Sequence, residues 1–369
     1  MRFRYYVLKR LLMLFPTFIV VSFIMYYLLL AFSHGMPVVL YIPDEYAAFS
    51  LALHPEKLAA LNKLYGFDKP WYMQWLTFFG KMFTGDLGYS PKYNQPVVDV
   101  IAKAIPATLE FVIPGILLAL LIGIPYGIKS SVAKPKENFY ITTTSLIGVS
   151  IPVFVVALFI KGLIWETFFY LGFASGDHSI FDISFYSGMY NGKIFSYPNH
   201  LIFGLQPTGF LLIDSLLSLN IPLFFDALAH LLGPIFCIML VVIPFVVRMT
   251  RSAMTVTLKQ DYVLLAKSKG LDQKVILYKH AFRNALLPMT TLFGYLFSAV
   301  ILGTVYIEVV FLYPGIGYMF YLGINFYDLG LMLAFLLIST TTYILFNITV
   351  DLIYYFIDPR IGSTDNQNK

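Results

Sequence analysis

The sequence predicts an all-α integral membrane protein built on six transmembrane helices. Two observations carry this. Of the 369 residues, 59% are hydrophobic and only 12% are charged, about half the charge of an ordinary soluble domain, so polar groups are too few to cover a water-facing surface. The apolar residues also fall in runs near the length of about 20 residues that crosses a bilayer.

The runs are Leu11 to Phe32, Ala107 to Ile128, Phe139 to Ile160, Leu228 to Val247, Leu286 to Tyr306 and Leu329 to Ile357. The first holds 22 uncharged residues, 14 of them Leu, Ile, Val or Phe. At roughly −0.3 to −0.6 kcal/mol each near the bilayer centre, these favour insertion by about 4 to 8 kcal/mol. Arg2, Arg4, Lys9 and Arg10 precede the run as they would precede a signal sequence. It is too long for an ordinary signal core, so a retained span is expected. Pro114, Pro125, Pro152 and Pro244 lie within spans and mark kinks, which neighbouring helices in a bundle can accommodate.

An even number of spans places both termini on one side, and basic residues decide which. The N-terminus, the Lys129–Asn138 loop, the loop from Arg248 to Ala285 and the C-terminal tail hold 17 of the 25 Lys and Arg, and the other loops hold 8. Both termini are therefore expected in the cytoplasm of a multi-pass plasma-membrane protein. The organisation read from the chain is a cytoplasmic N-terminus and first span over 1–32, an external segment over 33–103, five helices over 104–357 and a cytoplasmic tail over 358–369. An external insertion occupies about 161–227.

In the first external segment, Trp71, Trp75, Phe79 and Met82 recur at helical spacing. This predicts a short helix, either at the membrane interface or packed on the bundle, with a turn at Gly85-Asp86-Leu87-Gly88. The second external segment is rich in Tyr, Phe, Gly, Asn and Pro, which suits an ordered cap more than a disordered tail. Its Asp177-His178 pair is too little for a metal site. Cys237, the single cysteine, excludes an internal disulfide.

The loop from Arg248 to Ala285 carries eight Lys or Arg against Asp261 and Asp272. Asp261 to Lys269 reads as a short helix stopped by Gly270. Leu271, Val275, Tyr278 and Phe282 then form a helical stripe, with Lys274, Lys279 and Arg283 opposite. This periodicity fits a loop resting on anionic lipid and a docking element for a cytoplasmic protein equally well.

The residue order goes further. DYVLLAKSKGLDQKVILYKHAFRNALLP, Asp261 to Pro288, resembles the loop signature of permease subunits of ATP-binding-cassette importers, in the dipeptide/oligopeptide/nickel branch. The matching positions are Asp261, Tyr262, Ala266, Gly270, His280, Arg283, Asn284, Ala285, Leu287 and Pro288. PATLEF (Pro106 to Phe111), GDLGYS (Gly85 to Ser90), EVVFLYPGIG (Glu308 to Gly317) and NITVDLIYYFIDPRI (Asn347 to Ile361) are similar to further segments of that branch. Together they cover most of the chain. The older signature has Glu-Ala-Ala where this chain has Leu264-Leu265-Ala266, so no role of that acid carries over.

The resemblance implies the type I importer fold and a second, homologous permease subunit. It also implies two cytoplasmic ATP-binding subunits that hold ATP-Mg, and an extracellular substrate-binding protein. Contact with the ATPases would fall to Asp261, Tyr262, Ala266, Lys267, Lys269 and Gly270. Tyr262 would be the apolar anchor, the lysines would face acidic groups, and Gly270 would permit the turn. Relatives of this kind move dipeptides, longer peptides or nickel, and some move oligosaccharides; a peptide is the expected cargo.

No catalytic, cofactor or metal site is expected in this chain. There is no G-x-x-x-x-G-K-[ST], H-E-x-x-H or G-x-S-x-G. An ion-coupled transporter would need repeated halves and a charged relay, and neither is visible. Glu110, Lys161, Glu166, Glu308 and Asp351 are charges in or near spans. Glu110 and Glu308 are expected to be solvated at an outer interface, and Asp351 to pair near Arg360.

Overall fold

In the computed structural model, residues 3–32, 38, 54–170 and 208–357 are described. The helices are α1 (Phe3–Phe32), α2 (Pro55–Tyr65), α3 (Trp71–Thr84), α4 (Val97–Val132), α5 (Pro135–Ser150), α6 (Val153–Tyr170), α7 (Leu211–Leu217), α8 (Ile221–Thr257), α9 (Asp261–Ser268), the single turn α10 (Gln273–Val275), α11 (Arg283–Phe311), α12 (Ile316–Asn325) and α13 (Leu329–Ile357). A π-helical segment, Ile276–Phe282, separates α10 from α11, and strands β1 (Tyr89–Ser90) and β2 (Gln95–Pro96) precede α4.

By length and composition, three described helices can cross a membrane, or up to five if each of two bent pairs is one span. In α1 the apolar stretch that counts is the shorter Phe18–Phe32. The expected span Phe139 to Ile160 is not one straight helix, because α5 and α6 meet at 96°. The break has a chemical origin. Pro152 offers no N–H and crowds the residue before it out of the α region; Ile151 is extended, at φ −80° and ψ 122°.

The chain divides into two compact units. The first comprises Leu109–Tyr313 and Leu345–Lys369. At its centre α8 packs against α5, α6, α7 and α11. The α4–α8 approach relies on missing side chains: a Cβ on Gly123 would lie 2.8 Å from Val246, and one on Gly127 2.5 Å from Thr250. Where lipid is as apolar as the helix, such close backbone contact is what holds helices together. Below it, Ile128, Met254, Val263, Ala266, Ile276, Ala281, Ala285 and Met289 form one apolar cluster.

The second unit comprises Arg2–Thr108 and Pro314–Ile344. Here α3 packs on α1: Tyr26 donates to Gln74 Oε1 at 2.7 Å, Trp75 Nε1 donates to Ser22 Oγ at 3.3 Å, and Phe23 meets Trp71 and Trp75 edge-on. Phe78 and Met82 are buried with Met25, Tyr26, Leu329 and Leu333, while Trp71, Tyr72 and Leu76 stay exposed. The predicted aromatic helix thus packs its stripe on α1. It ends at Gly85, whose φ of 78° is the left-handed geometry glycine adopts without steric cost.

Asp328, fully buried ahead of α13, ties this unit together. It accepts from Ser90 Oγ, from Lys92 N at 3.4 Å and from Leu331 N at 3.1 Å. The GDLGYS segment is thereby fixed to the start of the last helix. Burial raises the Asp328 carboxyl above its ordinary range, and these hydrogen bonds oppose the rise.

Candidate functional site: the loop between α8 and α11

The loop begins where α8 ends at Thr257. Gln260 is extended, at φ −77° and ψ 146°, and α9 starts at Asp261, whose negative charge in the first turn suits the helix dipole. Within α9 only Val263 and Ala266 are buried. They sit three residues apart on one edge, and both belong to the Ile128–Met254–Met289 cluster. The rest of the helix faces away from that core.

This places the six expected contact residues. Asp261, Lys267, Lys269 and Gly270 are exposed, and Tyr262 is 39% exposed. Ala266 is only 5% exposed, so its part is to seat α9 rather than to meet a partner. Leu264 (52% exposed) and Leu265 (57%) share the outward face, and the sequence reading did not single them out for contact. The signal was there: two leucines stand where the related signature carries Glu and Ala, and Val263–Ala266 already supplies the inward edge.

Gly270 terminates α9 as expected. Its φ is +71°, and nothing lies within 4 Å of where a Cβ would be, so backbone conformation rather than crowding calls for glycine. Its N–H reaches Lys267 O at 2.9 Å, and that of Leu271 reaches Ala266 O at 3.4 Å. Asp272 then caps the next turn by accepting from Lys274 N at 3.1 Å.

Beyond the cap the structure departs from the simple periodic reading. Ile276–Phe282 is π-helical, with hydrogen bonds to the fifth residue instead of the fourth. Residues spaced for an ordinary helix therefore do not form the inward face. The buried residues are Ile276, Ala281, Ala285 and Met289, five, four and four apart. Leu271, Val275 and Tyr278 of the predicted stripe stay exposed at 40%, 38% and 52%, and Lys274 and Lys279 are exposed too. The loop thus presents leucines, tyrosines and lysines outward from a base fixed in the core. Such a surface can bind; among the described residues, no group of three or more His, Cys, Asp or Glu is placed to hold a metal.

The in-span charges differ from expectation. Glu110 and Glu308 are buried, at 7% and 0% exposure, not solvated at an interface. A carboxylate is tolerated there when donors converge on it: Leu212 N–H reaches Glu110 Oε1 at 2.6 Å. Lys161 Nζ donates to Val310 O at 2.6 Å. The side chains of Glu166 and Asp351, together with Arg360 and the Asp177-His178 pair, lie outside the described residues.

Residues 115–363 match the model of the family described as binding-protein-dependent transport system inner membrane component. The chain is 35% identical over 298 residues to the "Probable D,D-dipeptide transport system permease protein DdpB" of Escherichia coli, covering 80% of this chain and 82% of that protein. It is 32% identical over 358 residues to the di/tripeptide transport system permease protein DppB of Pseudomonas aeruginosa, covering 96% and 98%. It is 30% identical over 360 residues to the oligopeptide transport system permease protein AppB of Bacillus subtilis, again covering 96% and 98%. The helical membrane chain described above therefore belongs to the family of binding-protein-dependent transport inner membrane components, the permease subunits of ATP-binding-cassette importers.

Proposed function

We propose that this chain is one of two homologous permease subunits of an importer for short peptides, driven by ATP hydrolysis in two separate cytoplasmic subunits. The observation that carries this reading is the outward face of α9 and its flank, where Tyr262, Leu264 and Leu265 stand exposed beside Lys267 and Lys269. An apolar patch ringed by cations is what a groove with an acidic rim would accept. Val263 and Ala266 lock that face to the apolar cluster reaching Met289 in α11. A push on α9 is therefore delivered to a membrane helix instead of being absorbed by a loose loop.

In this reading six spans place both termini in the cytoplasm, with α9 on the same side. An external binding protein delivers cargo to the opposite face. Peptide is the cargo because the similar permeases carry dipeptide, di/tripeptide and oligopeptide in their names. ATP and Mg belong to the partner subunits.

The test is uptake by vesicles containing the complete transporter and its binding protein. Labelled di- and tripeptides are expected to accumulate only with ATP, and excess unlabelled oligosaccharide or nickel should leave uptake unchanged. Peptide exclusion combined with sugar or nickel accumulation would overturn the cargo; accumulation without ATP would overturn the mechanism.

A further inference from the structure

Glu110 lies in α4, inside the PATLEF segment, and its two oxygens serve different parts of the chain. Oε1 accepts the N–H of Leu212 at 2.6 Å, and Oε2 meets the hydroxyl of Tyr313 at a longer 3.4 Å. Leu212 is in the first turn of α7, and Tyr313 is in the turn that follows α11. Tyr313 is fully buried and is held edge-on by Phe111, with ring centroids 5.1 Å apart. Leu312 beside it has a φ of +53°, a conformation that non-glycine residues keep only when the surroundings impose it.

Local capping does not account for Glu110. The start of α7 already has its own carboxylate: Asp214 accepts from Thr208 N at 2.9 Å, Thr208 Oγ at 2.8 Å and Gly209 N at 3.0 Å. Glu110 reaches across 102 residues of sequence to add one more bond. The groups that donate to it, the Leu212 N–H and the Tyr313 hydroxyl, are neutral, an expensive arrangement for a buried carboxylate, which an apolar side chain would avoid.

We propose that Glu110 is a positioning residue for transport: it fastens α7, which leads into α8, to the turn after α11, so that the two move as one when the pathway opens. This rests on the permease reading above and adds a residue to it. Breaking the fastening slows turnover without changing how cargo is first recognised, because both Glu110 oxygens are engaged by protein groups.

The experiment compares Glu110→Leu and Glu110→Gln in the complete transporter. The amide of Gln still accepts from Leu212 and can donate to Tyr313, whereas Leu does neither. For Glu110→Leu, maximal peptide uptake is expected to fall about tenfold, with the half-saturating peptide concentration within about twofold of wild type; Glu110→Gln is expected within about threefold on both. A second readout uses this chain alone, with spin labels at the exposed positions Ile213 and Tyr306. One narrow distance is expected in wild type and Glu110→Gln, and a broad distribution in Glu110→Leu. Uptake by Glu110→Leu within about threefold of wild type, an equally narrow distance in that variant, or failure of both variants to assemble overturns the proposal. Absence of peptide uptake by the wild type would count against the cargo reading, and the label distances would still decide whether Glu110 joins the two segments.

Discussion

Gly270→Val puts the docking role of α9 to its sharpest test. The backbone at Gly270 stands at φ +71°, with open space where a Cβ would project. A Cβ there meets nothing nearby, so the penalty of a substitution arises first from the backbone conformation. An L-residue in the left-handed region costs about 1–2 kcal/mol, and β-branching places valine at the upper end. Relaxing the turn avoids that cost but swings Leu271 and the π-helical segment relative to α9. Either way, a partner surface fitted to the present geometry loses about 1–2 kcal/mol, and about 1.4 kcal/mol is tenfold in affinity. The same sum is small beside the insertion energy of several apolar helices, so the chain should still reach the membrane. Gly270→Asn is the control, since asparagine tolerates this region better than other side chains. The assay is retention of the ATPase subunits on the purified permease, followed by ATP-dependent uptake. Valine should weaken retention about tenfold or more, and asparagine distinctly less. Unchanged retention and uptake in Gly270→Val would refute the claim that the α9 turn is a fitted contact.

Three further outcomes follow from particular contacts. Ala266→Leu forces extra methyl groups into the cluster of Met254, Ile276 and Met289, at about 1–3 kcal/mol, and should expose α9 to proteolysis and hydrogen exchange in the isolated chain; unchanged protection would mean that α9 is not seated there. Lys267→Glu with Lys269→Glu should reduce ATPase retention and remove most of its dependence on ionic strength between about 0.05 and 0.5 M salt; equal salt dependence in the wild type and the double variant would dismiss the lysines. Asp328 has a folded pKa raised from its ordinary 3.8 by burial, so the fold holds its proton more tightly than the unfolded chain. The stability this adds is fully present below the unfolded value and is lost as pH rises through the folded one. Asp328→Asn should lack that component, so the wild-type-minus-variant melting temperature should fall with rising pH above about 4; a flat difference would exclude it.

The membrane character, the positions of the three long apolar helices α4, α8 and α13 and the α9–Gly270 break were all legible in the sequence, because each follows from local chemistry. An apolar run long enough to cross a bilayer, or a glycine after a helical stretch, needs no distant partner to be understood. The last helix matches the expected Leu329 to Ile357 at both ends. The break at Pro152 was half legible: proline announces a kink, but the packing of α5 and α6 on α8 sets it at 96°.

What the tertiary structure alone decided is which side of each element meets the core. A period of 3.6 residues selected Leu271, Val275 and Tyr278 as a stripe, whereas the π-helical turn buries Ile276 and Ala281, a choice made by the cluster that awaits them on α4, α8 and α9. Glu110 looked like an interfacial charge because its donors, Leu212 and Tyr313, are 102 and 203 residues away in sequence. Periodicity reports a residue's neighbours within one helix. The partner that makes a buried carboxylate tolerable, or turns one edge of α9 inward, comes from another part of the chain, and only folding brings it there.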